Sequence, residues 1–247
     1  MEIVTLAERP DLLDAMWALR STWPAFMLND PVGNRLFPLV PEMFPEYQLL
    51  ALDELSRVIG RIVAAPFHWG GSEEELPIRG WDAILERVVA ECGRGCPATA
   101  VSLLEARVAP PSSGTGAERL LLSAARKNVR RCGIADLFGP VRPSAKSSQP
   151  RTPMRDYVAQ IREDGLPEDP WLRVHARLGG RVIKICPLSM VVPGSLSQWR
   201  EWTGLAFDLP GPTEVPGALT PVHVSLDDDY AVYVEPNVWI HHRLGNG

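Results

Sequence analysis

The segment from Val101 to Cys132 constrains the fold of this chain more than any other. An apolar strand is predicted to end at Val108, a loop with Gly114 and Gly116 follows, and an amphipathic helix begins at Ala117. A helix that starts after a glycine loop presents free backbone N–H groups and the positive end of its dipole. Glycine has no Cβ, so a ligand can approach this backbone closely. The segment therefore predicts a binding site for phosphate or pyrophosphate.

Two common phosphate-binding motifs do not fit this loop. A P-loop requires Gly-Lys followed by Ser or Thr, and no such sequence follows Gly116. A dinucleotide fingerprint requires a third glycine, which is absent, and the surrounding elements are in the wrong order. The anion site must therefore belong to another architecture.

The remaining periodicity predicts an α/β (α+β) protein with a mixed, mostly antiparallel central sheet flanked by helices. Strands with turn residues between them predict a hairpin from Tyr47–Leu52 and Val58–Phe67. Helical periodicity follows in Trp81–Cys92 and again after Ala117. No linker poor in apolar residues divides the chain, so we expect a single domain over residues 1–247. An insertion at about 70–96 and a segment at about 187–247 have no assigned role.

The central segment resembles the GCN5-related N-acetyltransferase (GNAT) superfamily. In that family a strand ending in Val-x-Pro leads to a glycine loop whose amides hold the pyrophosphate of acetyl-CoA; here Val108-Ala109-Pro110 precedes Ser113-Gly114-Thr115-Gly116-Ala117-Glu118. The resemblance implies acetyl-CoA or another acyl-CoA as acyl donor. By the same resemblance the donor-binding residues are Val108, Ser113, Gly114, Thr115, Gly116, Ala117, Glu118 and, after the next strand, Ser144.

Two residues depart from the pattern of the family. Ser113 replaces the usual Arg or Gln, and Glu118 stands where the family has Gly or Ala. A carboxylate about 4 Å from a pyrophosphate in water repels it by about 1 kcal/mol. Glu118 therefore either points away from the donor or weakens its binding, and basic residues of the helix that begins at Ala117 offer compensating charge.

A second match lies further along the chain. The family carries Tyr-x-x-Leu-Gly-Phe at a late helix and strand, and His175-Ala176-Arg177-Leu178-Gly179-Gly180 aligns with it. The resemblance places His175 where a tyrosine often protonates the departing thiolate. A histidine suits that task, because its unperturbed pKa lies near neutrality. A purely structural histidine is the alternative interpretation.

Glu105 is the candidate general base for the acceptor amine. It alternates with apolar neighbours on the strand that ends at Val108, so it projects to the opposite face from them. Pairing with Arg107 is the simpler interpretation of the same charge. Tryptophan and phenylalanine side chains are expected to line an acceptor pocket or to fill the core, namely Trp23, Phe26, Trp199 and Trp202.

Composition narrows the partners. The 247 residues carry a net charge of −5, which argues against a general nucleic-acid-binding protein. No apolar run reaches the ~18 residues of a membrane span, and Met1-Glu2-Ile3 does not resemble an export signal, so a cytoplasmic protein is expected. The cysteines Cys92 and Cys96 have no second ligand pair at zinc spacing, so no metal is expected.

These observations predict an acyltransferase that moves an acyl group, most simply acetyl, from a CoA thioester to an amine of a small molecule. One alternative keeps the chemistry but takes the acyl group from an acyl-carrier protein or an aminoacyl-tRNA, with the basic helix face as a docking surface. The other is a GNAT-fold domain that binds a ligand without catalysis.

Overall fold

Apolar segments with strand periodicity form one mixed sheet in the computed structural model, which describes residues 1–110 and 116–245. The strands within these ranges are β1 Glu2–Thr5, β2 Leu49–Leu52, β3 Val58–Phe67, β4 Ala100–Val108, β5 Asp136–Val141, β6 Arg181–Ser195, β7 Gly211–Thr213, β8 Val222–Ser225 and β9 Tyr230–Arg243.

Helices connect these strands and cover both faces of the sheet. The α-helices are α1 Leu13–Ala18, α2 Pro31–Leu36, α3 Val40–Met43, α4 Gly80–Arg94, α5 Ala117–Arg131, α6 Met154–Val158, α7 Pro170–Arg177 and α8 Leu196–Thr203. Short 3-10 helices lie at Pro10–Leu12, Ala25–Asn29, Phe37–Leu39, Pro45–Tyr47, Glu73–Glu75 and Lys146–Ser148.

The first half of the sheet is an antiparallel meander that meets one parallel neighbour. Strands β1, β2, β3 and β4 pair antiparallel in chain order. Strand β5 then lies parallel to β4, and β9 pairs antiparallel with both β5 and β6. A parallel neighbour needs a crossover connection, and α5 provides it. The expected mostly antiparallel α/β fold is confirmed.

Strand β9 is paired along both of its edges. Residues 230–241 run beside β6 with two register shifts, whereas the other edge of β9 is shared by β8, which pairs with residues 230–232, and β5, which pairs with residues 238–243. Two strands therefore lie end to end against one long partner, which joins the two halves of the sheet.

The segment after Pro187, to which the sequence assigned no role, begins as part of a strand of the central sheet. The sequence predicts a short strand at Arg181–Ile185 after Gly179-Gly180, and in the structure this strand continues to Ser195 as β6. Its register with β9 shifts between Cys186 and Met190. Because proline lacks an N–H group, it fits a strand at such an irregularity and not in a regular ladder. Pro187 therefore interrupts the pairing without ending the strand.

The two faces of the sheet carry different helices. Leu121, Leu122, Ala125 and Val129 of α5 are buried against β2, β3 and β4 on one face. Trp81, Ile84 and Leu85 of α4 are buried in the larger core on the other face. Burial of these amphipathic faces provides most of the stability of such helices. In the described ranges, no helix has both the length and the apolar character needed to cross a bilayer.

Candidate functional site

The N-terminus of α5 is the part of the expected anion site that the structure describes. Gly116 is the N-cap residue with φ 95°, a left-handed conformation that favours glycine, and beyond its chain neighbours no atom of the described residues lies within 4 Å of the position that a Cβ would take. Ala117 follows as the first helical residue and is buried. Ser113, Gly114 and Thr115 lie outside the described residues. Among the described residues, the space beside Gly116 at the start of α5 is thus open.

Strands β4 and β5 separate beside this helix start. Their ladder consists of the pairs Val101–Leu137 and Ser102–Phe138, and it ends there within the described residues. Strand β4 continues to Val108, which pairs with Gly60 on the β3 side and is buried. Beyond Ser102, the edge of β4 that faces β5 is therefore free of a strand ladder. An opening of this kind can admit an extended ligand whose phosphates lie at α5.

The structure describes the surroundings of two predicted donor-site residues, Glu118 and Ser144. Glu118 is half-buried in the first turn of α5, where a carboxylate complements the positive end of the helix dipole. Ser144 follows β5 and accepts a hydrogen bond from the backbone N–H of Trp171 at 3.3 Å. Its hydroxyl also donates to Asp169, the N-cap residue of α7, at 3.5 Å. Ser144 thus connects the end of β5 to the start of the helix that carries His175.

His175 is buried on α7, with 1% of its surface exposed. Its Nδ1 lies 2.9 Å from Nε2 of His242 on β9, and its Nε2 has no hydrogen-bond partner among the described residues. Burial, and then the neighbouring His242, holds the pKa of His175 well below its usual value. The ring is therefore neutral at pH 7. If the Nε2–H group of His242 donates to Nδ1, the proton of His175 resides on Nε2.

Glu105 lies between two arginines on the opposite face of the sheet from α5. Its carboxylate accepts from Nε of Arg61 at 2.5 Å and from Nη2 of Arg107. Arg61 also donates to the carbonyl of Met16 at 2.6 Å, and its guanidinium lies 4.8 Å from the ring centroid of Trp17. All three charged side chains are buried. The geometry makes Glu105 the centre of an ion-pair network, and its role as a base stays a prediction.

These charges border a cavity of about 330 Å³ between α1, α2, α4 and β4. The rings of Trp17, Trp23, Phe37 and Trp81 form its aromatic walls. Of the aromatic residues expected to line a pocket, Trp23 does so. Phe26, Trp199 and Trp202 instead pack together in the large core. The indole N–H of Trp81 donates to the carbonyl of Leu104 at 2.8 Å, which fixes α4 against β4.

Two buried carboxyl groups near this cavity were not anticipated from the sequence. Asp30, the N-cap residue of α2, borders the cavity, and Asp82 lies in the first turn of α4. Burial, followed by the charge of Asp30, raises the pKa of Asp82 to about 8. Asp30-Pro31 is a recognisable helix-cap signal, but only the tertiary structure brings Asp30 and Asp82 together.

The sequence and the fold of this chain resemble those of known acyltransferases and GNAT-like domains. No family model matches the chain. An arginine N-acetyltransferase, avaD of Aspergillus versicolor, is 29% identical over 97% of this chain and 93% of its own length. The loading GNATL domain of CurA from Lyngbya majuscula is 15% identical, with a TM-score of 0.62 over 98% of this chain and 97% of that chain. The GphF GNAT-like decarboxylase, solved with isobutyryl-CoA, is 19% identical, with a TM-score of 0.62 over 99% of this chain and 100% of that chain.

The chain has the fold of the GNAT superfamily. The parted strands β4 and β5 and the glycine before α5 are therefore parts of a GNAT fold. Helix α4 and its flanking loops occupy the predicted insertion between β3 and β4, where they contribute Trp81 to the cavity wall.

The cysteines are free thiols, of which Cys186 is buried and Cys92 and Cys96 are exposed. Among the residues that the structure describes, no three His, Cys, Asp or Glu side chains are grouped so that they could hold a metal ion.

Proposed function

We propose that this GNAT chain is an N-acyltransferase that moves an acyl group from an acyl-CoA to the amine of a small molecule. The observation that carries the proposal is the 29% identity to an arginine N-acetyltransferase over nearly the whole of both chains. That relative makes arginine the first acceptor to test. Acetyl-CoA is the first donor to test, because the relative is an acetyltransferase by name.

The described part of the donor site fits a phosphorylated donor. The N-terminus of α5 supplies the positive end of the helix dipole, and the open space beside Gly116 is proposed to admit a phosphate group. The edge of β4 between Ser102 and Val108 gives an extended pantetheine arm backbone groups to pair with. Ser113, Gly114, Thr115, Glu118 and Ser144 complete the proposed donor site.

When bound, the donor supplies an activated thioester, and the chain positions groups around it. Backbone N–H groups of β4, from Ala106 to Val108, are proposed to polarise the acyl carbonyl. Because the His175 ring is neutral, loss of its proton would leave an imidazolate, so His175 is proposed to stabilise the leaving thiolate by donating a hydrogen bond from Nε2–H, the ring group without a partner among the described residues. Glu105 is proposed as the base on the acceptor side, acting directly or through water.

Calorimetry with acetyl-CoA tests the proposal. The parent should bind it, and Gly116→Trp should abolish binding by filling the space before α5. Gly133→Trp is the matched control, since Gly133 also has a positive φ of 79° with open space around its Cβ position but follows the other end of α5. Release of the free CoA thiol then measures acyl transfer to arginine and to a panel of other amines.

Each outcome selects one function. Binding that is lost in Gly116→Trp but retained in Gly133→Trp, together with thiol release, supports the proposal. Turnover without binding of free acetyl-CoA selects a carrier-borne donor, as with an acyl-carrier protein. Binding with no turnover across the amine panel selects a domain without catalysis. Equal loss of binding in both variants would remove the start of α5 from the donor site.

A further inference from the structure

The aromatic cavity beside β4 is bordered by unsatisfied groups of opposite charge. Asp30 and Arg107 both border it, and both are buried. Buried polar atoms in folded proteins almost always have a hydrogen-bond partner, because leaving one unpaired costs about 1–3 kcal/mol. An unpaired atom beside a cavity therefore indicates a group that a ligand can satisfy.

Asp30 provides the negative side of the cavity. Only 2% of the residue is exposed. Its Oδ1 accepts a hydrogen bond from the N–H of Gly33 at 2.6 Å, whereas its Oδ2 is buried without a hydrogen-bond partner among the described residues. Burial raises the pKa of Asp30 and outweighs the backbone amides of Gly33, Val191 and Val32. A cation bound at Oδ2 would stabilise the ionised form.

Arg107 provides the positive side. Its Nη1 donates to the carbonyl of Leu19 at 3.2 Å, and its Nη2 donates to Ser21 and to Glu105. Its Nε–H is buried and has no acceptor among the described residues. Glu105 is shared with Arg61, so one carboxylate balances two guanidinium groups. This side of the cavity therefore retains a positive charge and one free donor.

The cavity dimensions and walls limit the ligand further. A volume of about 330 Å³ is near the lower end of the range for small-molecule sites. Trp17, Trp23 and Trp81 line the walls, and indole rings attract cations. The cavity thus suits a compact molecule that carries both a carboxylate and a cationic group.

We propose that the acceptor is an amino acid with a cationic side chain, held by its carboxylate at Arg107 and by its side-chain cation at Asp30. This inference rests on the proposed N-acyltransferase function. An amine held against a carboxylate keeps its proton and is not nucleophilic, so the cation at Asp30 is the group that is not acylated. The reacting amine is the other nitrogen of the acceptor.

The insertion between β3 and β4 contributes to this acceptor site. Helix α4 contributes Trp81 to the cavity wall and places Asp82 close enough to Asp30 to affect its own ionisation. Gly33 lets the Trp81 ring of α4 pack closely against α2 beside Asp30, because a Cβ at Gly33 would lie 3.2 Å from both Asp30 and the Trp81 ring. The insertion therefore completes the cation side of the acceptor site.

Binding without an acyl donor tests the inference independently of catalysis. Calorimetry on the full chain compares arginine with citrulline, which lacks the side-chain cation, and with agmatine, which lacks the carboxylate. Asp30→Asn removes the charge and keeps an oxygen to accept from Gly33. Asp208→Asn, at an exposed aspartate that does not border the cavity, is the matched control.

We expect arginine to bind the parent at least about tenfold more tightly than citrulline or agmatine, and Asp30→Asn to lose that preference over citrulline. Equal binding of arginine and citrulline by the parent would overturn the cation assignment even if no variant folded. Equal binding of agmatine would overturn the carboxylate assignment. Selective arginine binding without acylation would refute the proposed function alone, whereas acylation of amines with no dependence on Asp30 would refute this inference alone.

Discussion

Nδ1 of His175 and Nε2 of His242 lie 2.9 Å apart, joining α7 to the central strand β9 through two buried imidazoles. Burial, and then Arg126, lowers the pKa of His242 to about 4. The pKa of His175 is lowered as well. Neither ring can accept a proton in the folded state at the pH where the unfolded chain does so.

The pair predicts acid destabilisation of the fold. The unfolded state takes up protons near pH 6.5, whereas folded His242 does so only near pH 4, so the free energy of unfolding should fall as the pH drops from 6.5 to 4. The slope approaches about 1.4 kcal/mol per pH unit for each histidine. Urea unfolding at several pH values measures it. His242→Gln should show a shallower dependence, and parallel curves would contradict the prediction.

Turnover of a His175→Gln variant tests the proposed hydrogen-bond donor. If Nε2–H stabilises the leaving thiolate by a hydrogen bond, kcat should fall by about 100-fold to 1,000-fold while the affinity for acetyl-CoA stays near that of the parent. His242→Gln is the companion variant, because it removes the partner of Nδ1 but leaves Nε2 in place. Unchanged kcat in His175→Gln would remove this residue from the mechanism and leave it a structural role.

Glu105 should be essential for stability whatever its part in the chemistry. Glu105→Gln leaves the buried guanidinium groups of Arg61 and Arg107 without their shared carboxylate, and breaking such a pair costs about 3–5 kcal/mol. Chemical denaturation measures the loss. Asp53→Asn breaks the exposed pair with Arg57 and should leave the unfolding midpoint near that of the parent. Comparable losses in the two variants would contradict a buried network.

Asp82 should destabilise the protein as the pH rises. Its folded pKa is about 8 against a usual 3.8, so the folded state retains a proton that the unfolded state has released. The free energy of unfolding should therefore fall between pH 4 and 8, by up to about 1.4 kcal/mol per pH unit. Asp82→Asn should remove this dependence and gain stability at pH 8. A variant that loses stability at pH 8 would show that the ionised carboxylate has an unrecognised partner.

Local patterns predicted most of the fold. The stripe of Leu121, Ala125 and Val129 follows helical periodicity. Glycine after the last turn predicts the end of that helix, and Gly133 has a φ of 79°, which is typical of such a position. The length of β6 was not predicted, because Pro187 resembles a strand end. Only the pairing with β9 reveals that the strand continues past it.

The acceptor side of the site depends on contacts that no local pattern contains. The sequence shows Glu105 beside Arg107, two positions along one strand. Arg61 reaches the same carboxylate only because β3 and β4 pair in one register. Asp30 and Asp82 come from α2 and α4, and the unsatisfied oxygens become visible only once those helices pack together.

The shared edge of β9 has a consequence for the order of assembly. A nascent chain that has emerged only as far as β8 holds β5 with one open edge and β6 with no strand partner, since both pair with β9. The strand pairs of β1 to β4 involve no residue of that region and can form during translation. The remaining half of the sheet has to wait for residues 230–243 to leave the ribosome.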